Sequence, residues 1–180
     1  MKYRTARLKQ AEDIARWLGL AGAKYPVESA ATGGEQIWTG GLYAWMELEE
    51  TGCVAWALEQ VFAQSGDSMG APVIFAIAEF FASRVSHCAP PLNVSLFCLD
   101  GVMGPDESHA PVNSSSFTSA IAAASLRSGV RAAALLGVPA GSNWTAIAEG
   151  MYVPYNEAWR YHPEFEGYVQ HGIPNLGRIP

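Results

Sequence analysis

Between Leu99 and Asn113 the chain reads Leu-Asp-Gly-Val-Met-Gly-Pro-Asp-Glu-Ser-His-Ala-Pro-Val-Asn, a stretch that gathers Asp100, Asp106, Glu107 and His109 between two long apolar segments. Carboxyl and imidazole groups at this spacing can do acid–base work, in which one carboxyl gives a proton to a departing oxygen while a neighbour orients it or the substrate. Pro105, with its fixed φ and no N–H, stiffens the backbone that carries Asp106 and Glu107. Gly-Pro-Asp is also ordinary turn chemistry, and on these residues alone a plain surface turn stands beside a catalytic loop.

The run Gly101-Val-Met-Gly-Pro-Asp-Glu-Ser-His109, followed by Val112-Asn-Ser and Phe117-Thr118, resembles the general-acid segment of glycoside hydrolase family 65. That family contains disaccharide phosphorylases, acid trehalases and glucosidases acting on glucosylgalactosyl-hydroxylysine. The resemblance makes Glu107 the proton donor to the glycosidic oxygen, and Asp106, His109 and Glu28 its companions in substrate binding. Tyr25, Pro26, Glu28, Ser29 and Ala30 match a second family segment, and Tyr161-His-Pro-Glu-Phe-Glu-Gly-Tyr168 resembles a tail found in the hydroxylysine-linked glucosidases and their bacterial relatives. Three positions depart from the pattern: Val27 stands where a tryptophan is usual, Glu49 where a histidine is usual, and Ser108 where an aromatic is usual.

These loops need elements to hold them. Leu8, Ala11, Ile14, Ala15 and Leu18 recur at helical spacing over Arg4 to Leu20. A second helix is predicted from about Thr51 to Ser65, ended by Gly66, and a third from Pro72 to His87, with Phe75, Ile77, Phe80, Phe81 and Val85 as core and His87 as a C-terminal capping cation. Asn93 to Leu99 reads as one short strand that feeds the acid loop. Asn113 is expected to cap a long helix through Leu136, with Arg127 and Arg131 as its solvated stripe, and a short helix follows near Asn143 to Gly150. Trp38, Trp45 and Trp56 are read as core rather than as sugar platforms.

Composition narrows the class. The chain has 180 residues, 49% of them hydrophobic, and a net charge of −6 with 11 basic residues. That size suits one cored domain, and the charge gives neither nucleic acid nor an anionic membrane a footprint. The most apolar run, Ala71 to Ala78, is interrupted by Glu79 and Arg84 well short of a membrane span of roughly 20 residues. Cys53, Cys88 and Cys98 form neither an even set nor a metal-ligand spacing, so they are expected as small core residues, with no disulfide, metal or cofactor. No signal-peptide core follows Met1-Lys-Tyr-Arg, which favours the cytoplasm without fixing the compartment.

Together these readings predict an all-α protein, residues 1–180 forming part of an (α/α)6 toroid of antiparallel helix pairs with at most one short β segment. The expected function is inverting hydrolysis of an α-glucosidic bond in a glucoside or disaccharide. Two alternatives stay open: a disaccharide phosphorylase of the same family, or a non-catalytic carbohydrate-binding or structural fragment. By the family's pattern the second carboxylate lies downstream of Pro180. Glu107 is expected at the concave end of the helix arc near Glu28 and His109, kept protonated by apolar walls such as Met103 and by Asp106 or Glu28.

Overall fold

A computed structural model describes residues 2–37 and 42–168. In chain order the elements are α1 (Lys2–Ala6), α2 (Leu8–Trp17), α3 (Leu42–Met46), α4 (Glu49–Ser65), α5 (Ala71–Arg84), β1 (Ser86–His87), β2 (Phe97–Cys98), α6 (Ser116–Leu136) and α7 (Trp144–Gly150). The protein is therefore helix-rich, with one small two-stranded sheet among the described residues.

Helix α5 is the hub because its sequence is apolar on nearly every side. Val73, Ile74, Ile77, Ala78, Phe80 and Phe81 are all fully buried, and the helix touches α1, α2, α4, α6 and α7. Pro72 lies in its first turn, where no N–H is needed. Helices α5 and α6 approach closely where α6 is small: a Cβ on Gly129 would lie 2.8 Å from the Ala78 Cβ. The alanine-rich sequence of α6 thus serves packing as well as helix propensity.

The predicted first helix is two helices. Arg7 leaves helical geometry between them (φ −107°), with its guanidinium over the Tyr3 ring. Helix α4 ends as read, at left-handed Gly66. The cap of α6 is Ser115, whose Oγ accepts from the Thr118 N–H at 3.4 Å. Asn113 is not that cap; its Oδ1 accepts instead from the Gly101 N–H at 3.2 Å, tying the two ends of the acid loop.

The β expectation needs correction. Helix α5 stops at Arg84 because Val85 turns extended, and the next residues pair antiparallel with β2, Ser86 opposite Cys98 and His87 opposite Phe97. His87 is thus a strand residue stacked on Phe97 at 4.8 Å rather than a helix cap. Just past this pairing Cys88 lies diagonally across from Cys98, with Cα atoms 5.0 Å apart, and they form a disulfide, contrary to the expectation of three unpaired thiols. Sequence parity could not show it, since one cysteine is left over: Cys53, which is exposed rather than in the core. Alkylation of the denatured, unreduced protein should label Cys53 alone, and mass spectrometry showing three labelled cysteines would contradict the bond.

Two further readings change. Arg131 is not merely solvated: its Nε and Nη2 donate to the buried Glu59 carboxylate at 2.9 and 3.1 Å, and Arg127 reaches the Ala148 carbonyl at 2.8 Å. The tryptophans also divide. Trp56 is half exposed, Trp45 stacks on the exposed Trp17 at 4.5 Å, and Trp38 lies outside the described residues. Among the described residues no helix is long and apolar enough to cross a membrane.

Candidate active site

The acid loop is fastened at its base. The Val102 and Val112 N–H groups each donate to the other's carbonyl, at 2.9 and 2.8 Å. The Ser114 N–H donates to Leu99 O at 2.7 Å, and Arg84 on α5 donates to Asp100 O at 2.6 Å. A parallel bridge joins Met103 to Glu47, with the Met103 N–H on Met46 O at 3.0 Å. The loop is thereby registered against the start of α4, and its tip, from Pro105 to Ala110, stands out toward solvent.

Glu107 lines a cleft of about 930 Å³ together with three other carboxylates, Glu47, Glu49 and Glu50. Its walls are apolar, made by Val54, Ala57, Leu58 and Val61 of α4 with Pro105 and Phe117, and Arg4 is the basic residue among its lining. Met103, expected as a wall against Glu107, is instead buried beneath the loop, where its carbonyl accepts from the Thr118 hydroxyl at 3.3 Å.

Asp106 and His109 face a smaller adjoining cleft of about 220 Å³, which shares Pro105 and Phe117 with the first. His109 Nδ1 lies 2.6 Å from Asp106 Oδ2, and the Ser108 N–H donates to Asp106 Oδ1 at 3.0 Å. These bonds, the histidine's first, hold the Asp106 carboxyl down to about 2. Asp106 is thus committed to His109. The tail docks here: the Ser116 N–H donates to Glu164 O at 2.9 Å and the Glu166 N–H to Asn113 O at 3.2 Å. Phe165 and Tyr168 flank the His109 ring at 5.6 and 6.3 Å, and ligand atoms of Asp106, His109 and Glu164 come within 4.8 Å of one another.

Glu28 is not brought to either cleft. Its side chain is exposed on a loop organised by a residue that sequence reading passed over, Glu35. The Glu35 carboxylate accepts from the N–H groups of Val27 and Glu28 at 2.8 and 3.0 Å, and from those of Gln36 and Ile37 at 3.1 and 3.3 Å.

Lys24, fully buried, interacts electrostatically with three of the cleft's glutamates. Burial lowers its pKa, opposed by the charges of Glu35, Glu50, Glu47 and Glu49. Glu49 is tied into the scaffold: its Oε2 accepts from the Leu48 N–H at 3.1 Å and from the Thr118 hydroxyl at 3.3 Å, and burial raises its pKa. Glu47 is pushed up to about 7 by burial first, then by Glu50, Glu49 and Glu107. An unfolded glutamate gives up its proton near 4.5, so between there and about 7 the folded chain holds a proton the unfolded chain lacks. That contribution to stability therefore falls as pH rises through the window and levels off above it. Urea unfolding at several pH values should show the stability of the wild type relative to Glu47→Gln declining from pH 4.5 to 7; a constant difference would contradict the shift.

Residues 1–178 match the family model described as the glycosyl hydrolase family 65 central catalytic domain, and the chain belongs to that family. It is 33% identical over 174 residues to mouse (Mus musculus) protein-glucosylgalactosylhydroxylysine glucosidase, covering 93% of this chain and 25% of the relative. It is 33% identical to a kojibiose hydrolase of Mucilaginibacter mallensis, covering 84% of this chain and 22% of that protein. Against a kojibiose phosphorylase of Thermoanaerobacter brockii the identity is 29%, with 93% of this chain and 25% of that protein covered. A solved structure described as "Putative kojibiose phosphorylase from human microbiome" shares the fold at a TM-score of 0.77 and 19% identity, over 91% of this chain and 25% of that one. The chain thus spans about a quarter of the length of the curated relatives it matches.

Proposed function

We propose that this chain is the acid-bearing part of an inverting α-glucosidase, and that α4 to α7 form part of an α/α toroid. In this reading Glu107 gives its proton to the glycosidic oxygen as the bond to the anomeric carbon breaks. Water attacks that carbon from the opposite face, and a second carboxylate takes the water's proton, so the product inverts. The observation that carries the reading is Glu107 at the edge of a large cleft with apolar walls, on a loop whose base is fastened to α4 and α5. Asp106 and His109 serve as a pair that positions the loop tip beside the substrate. Glu28 serves as an outer sugar contact, supported by its exposed carboxylate on a loop fixed by Glu35.

The hydrolysis reading draws on the glucosidases and kojibiose hydrolases among the relatives. The phosphorylase reading draws on the kojibiose phosphorylases among the relatives. The two separate in one assay on the catalytic domain containing this segment, with kojibiose as substrate. Hydrolysis should release glucose in phosphate-free buffer, with the β-anomer appearing first by proton NMR. Turnover that requires phosphate and yields a glucose phosphate would establish the alternative, and no turnover in either buffer would favour a non-catalytic fragment.

A further inference from the structure

Of the four carboxylates in the larger cleft, Glu47 differs from its neighbours. Glu49 is satisfied by Leu48 and Thr118. Glu107 sits on the exposed loop. Glu47 is 6% exposed and lines the cleft, and among the described residues no donor reaches its carboxyl group, so the polar partner open to it is whatever fills the cleft. Glu50 stands beside it in the same cleft with its Oε2 buried and without a partner, a cost that a bound polar ligand would relieve.

The backbone places Glu47 in register with the acid. Its bridge to Met103 and the Met103 N–H bond to Met46 O fix it against the loop segment that leads, through Gly104 and Pro105, to Glu107. A ligand whose reacting oxygen meets Glu107 would lie over the same cleft that Glu47 faces. We propose that Glu47 is a substrate-contacting residue, hydrogen-bonded to a hydroxyl of the glycosyl unit on which Glu107 acts. This rests on the reading of the cleft as a sugar site.

The surroundings suit that task. Glu49 and Glu50 from α4 and Glu107 from the acid loop disfavour a further negative charge at Glu47, while Lys24 favours one, and burial adds to the first group. A carboxyl that keeps its proton near neutrality has one donor and spare acceptor capacity, the same complement as a sugar hydroxyl. Neither Leu nor a fixed carboxylate offers both.

The test uses the chain itself with ¹³C-labelled glutamate, titrated with methyl α-D-glucopyranoside at about pH 6, beside Glu47→Ala and Glu47→Gln. Sugar should move the Glu47 carboxyl resonance and shift its titration midpoint. Glu47→Ala should weaken binding about tenfold, the loss of one hydrogen bond with a buried partner, and Glu47→Gln, which keeps a donor and an acceptor, by no more than about threefold. Should Glu47→Ala fail to fold, the resonance and the glutamine variant decide. Wild-type binding with an unmoved Glu47 resonance and undiminished affinity in the variants would overturn the assignment while leaving the sugar cleft intact. A folded wild type that binds no glucoside would overturn the cleft reading and Glu47 with it.

Discussion

Glu107→Gln in the catalytic domain containing this segment should lower hydrolysis of an unactivated α-glucosidic bond by about two to four orders of magnitude, the usual worth of a positioned general acid. The amide is nearly isosteric, and the side chain is exposed at the loop tip, so the fold should be unchanged by circular dichroism. What is lost is the proton that the departing sugar oxygen needs. An aryl glucoside with a stable phenolate leaving group needs little protonation and should keep much more of its rate. Rates on both substrates therefore discriminate. Equal losses would show that Glu107 acts otherwise than as the acid, and near-wild-type rates on both would remove it from the mechanism.

The largest stability effect is expected far from that loop, at Gly22. Its φ is +73°, and a Cβ there would sit 2.1 Å from Ala76 O and 2.3 Å from Phe80 N, both backbone atoms of α5 that cannot rotate aside. The adjoining Ala23 N–H donates to the same Ala76 carbonyl at 2.9 Å, and the Lys24 N–H to Ala11 O at 3.0 Å. Gly22→Ala must therefore lift a whole strap off the central helix. We expect a loss of about 3 kcal/mol or more, lowering the melting temperature by about 10 °C. Gly19 is the control: its φ is +75° but nothing lies within 4 Å, so Gly19→Ala should cost only the backbone preference, about 1 kcal/mol. Comparable melting temperatures for the two variants would show that the close approach at Gly22 does not hold the strap.

Much of this architecture was legible in the sequence. The apolar circumference of Pro72 to Arg84, the left-handed stop at Gly66 and the long alanine-rich helix rest on local periodicity and capping, which short-range patterns report. The acid loop was visible because its residue types are chemically unusual and match a family segment. What escaped is long-range. The β1–β2 pair and the Cys88–Cys98 bond depend on where α5 ends, which a capping histidine at position 87 concealed. Lys24 carries no sign that it is buried, since lysine almost never is. Glu47 stood in an acid-rich run read only for Glu49, and nothing local separates the glutamate that opens on the cleft from the one held by Thr118. The tail's docking onto His109 also needed the third dimension: the backbone groups of Glu164 and Glu166 bond Ser116 and Asn113, far from them in sequence.

The doubly bonded Val102–Val112 pair makes the segment between them an Ω-loop, a self-contained excursion closed at its neck. A neck of this kind uncouples the ends of a loop from its apex. The neck bonds set where the loop leaves the scaffold, while Asp106, Ser108 and His109 fix the apex among themselves and the docked Phe165 and Tyr168 brace it from the side. Ser108 is exposed and occupies that apex beside Glu107. Neck and apex are thus held by separate sets of bonds, so a change at one can leave the other in place.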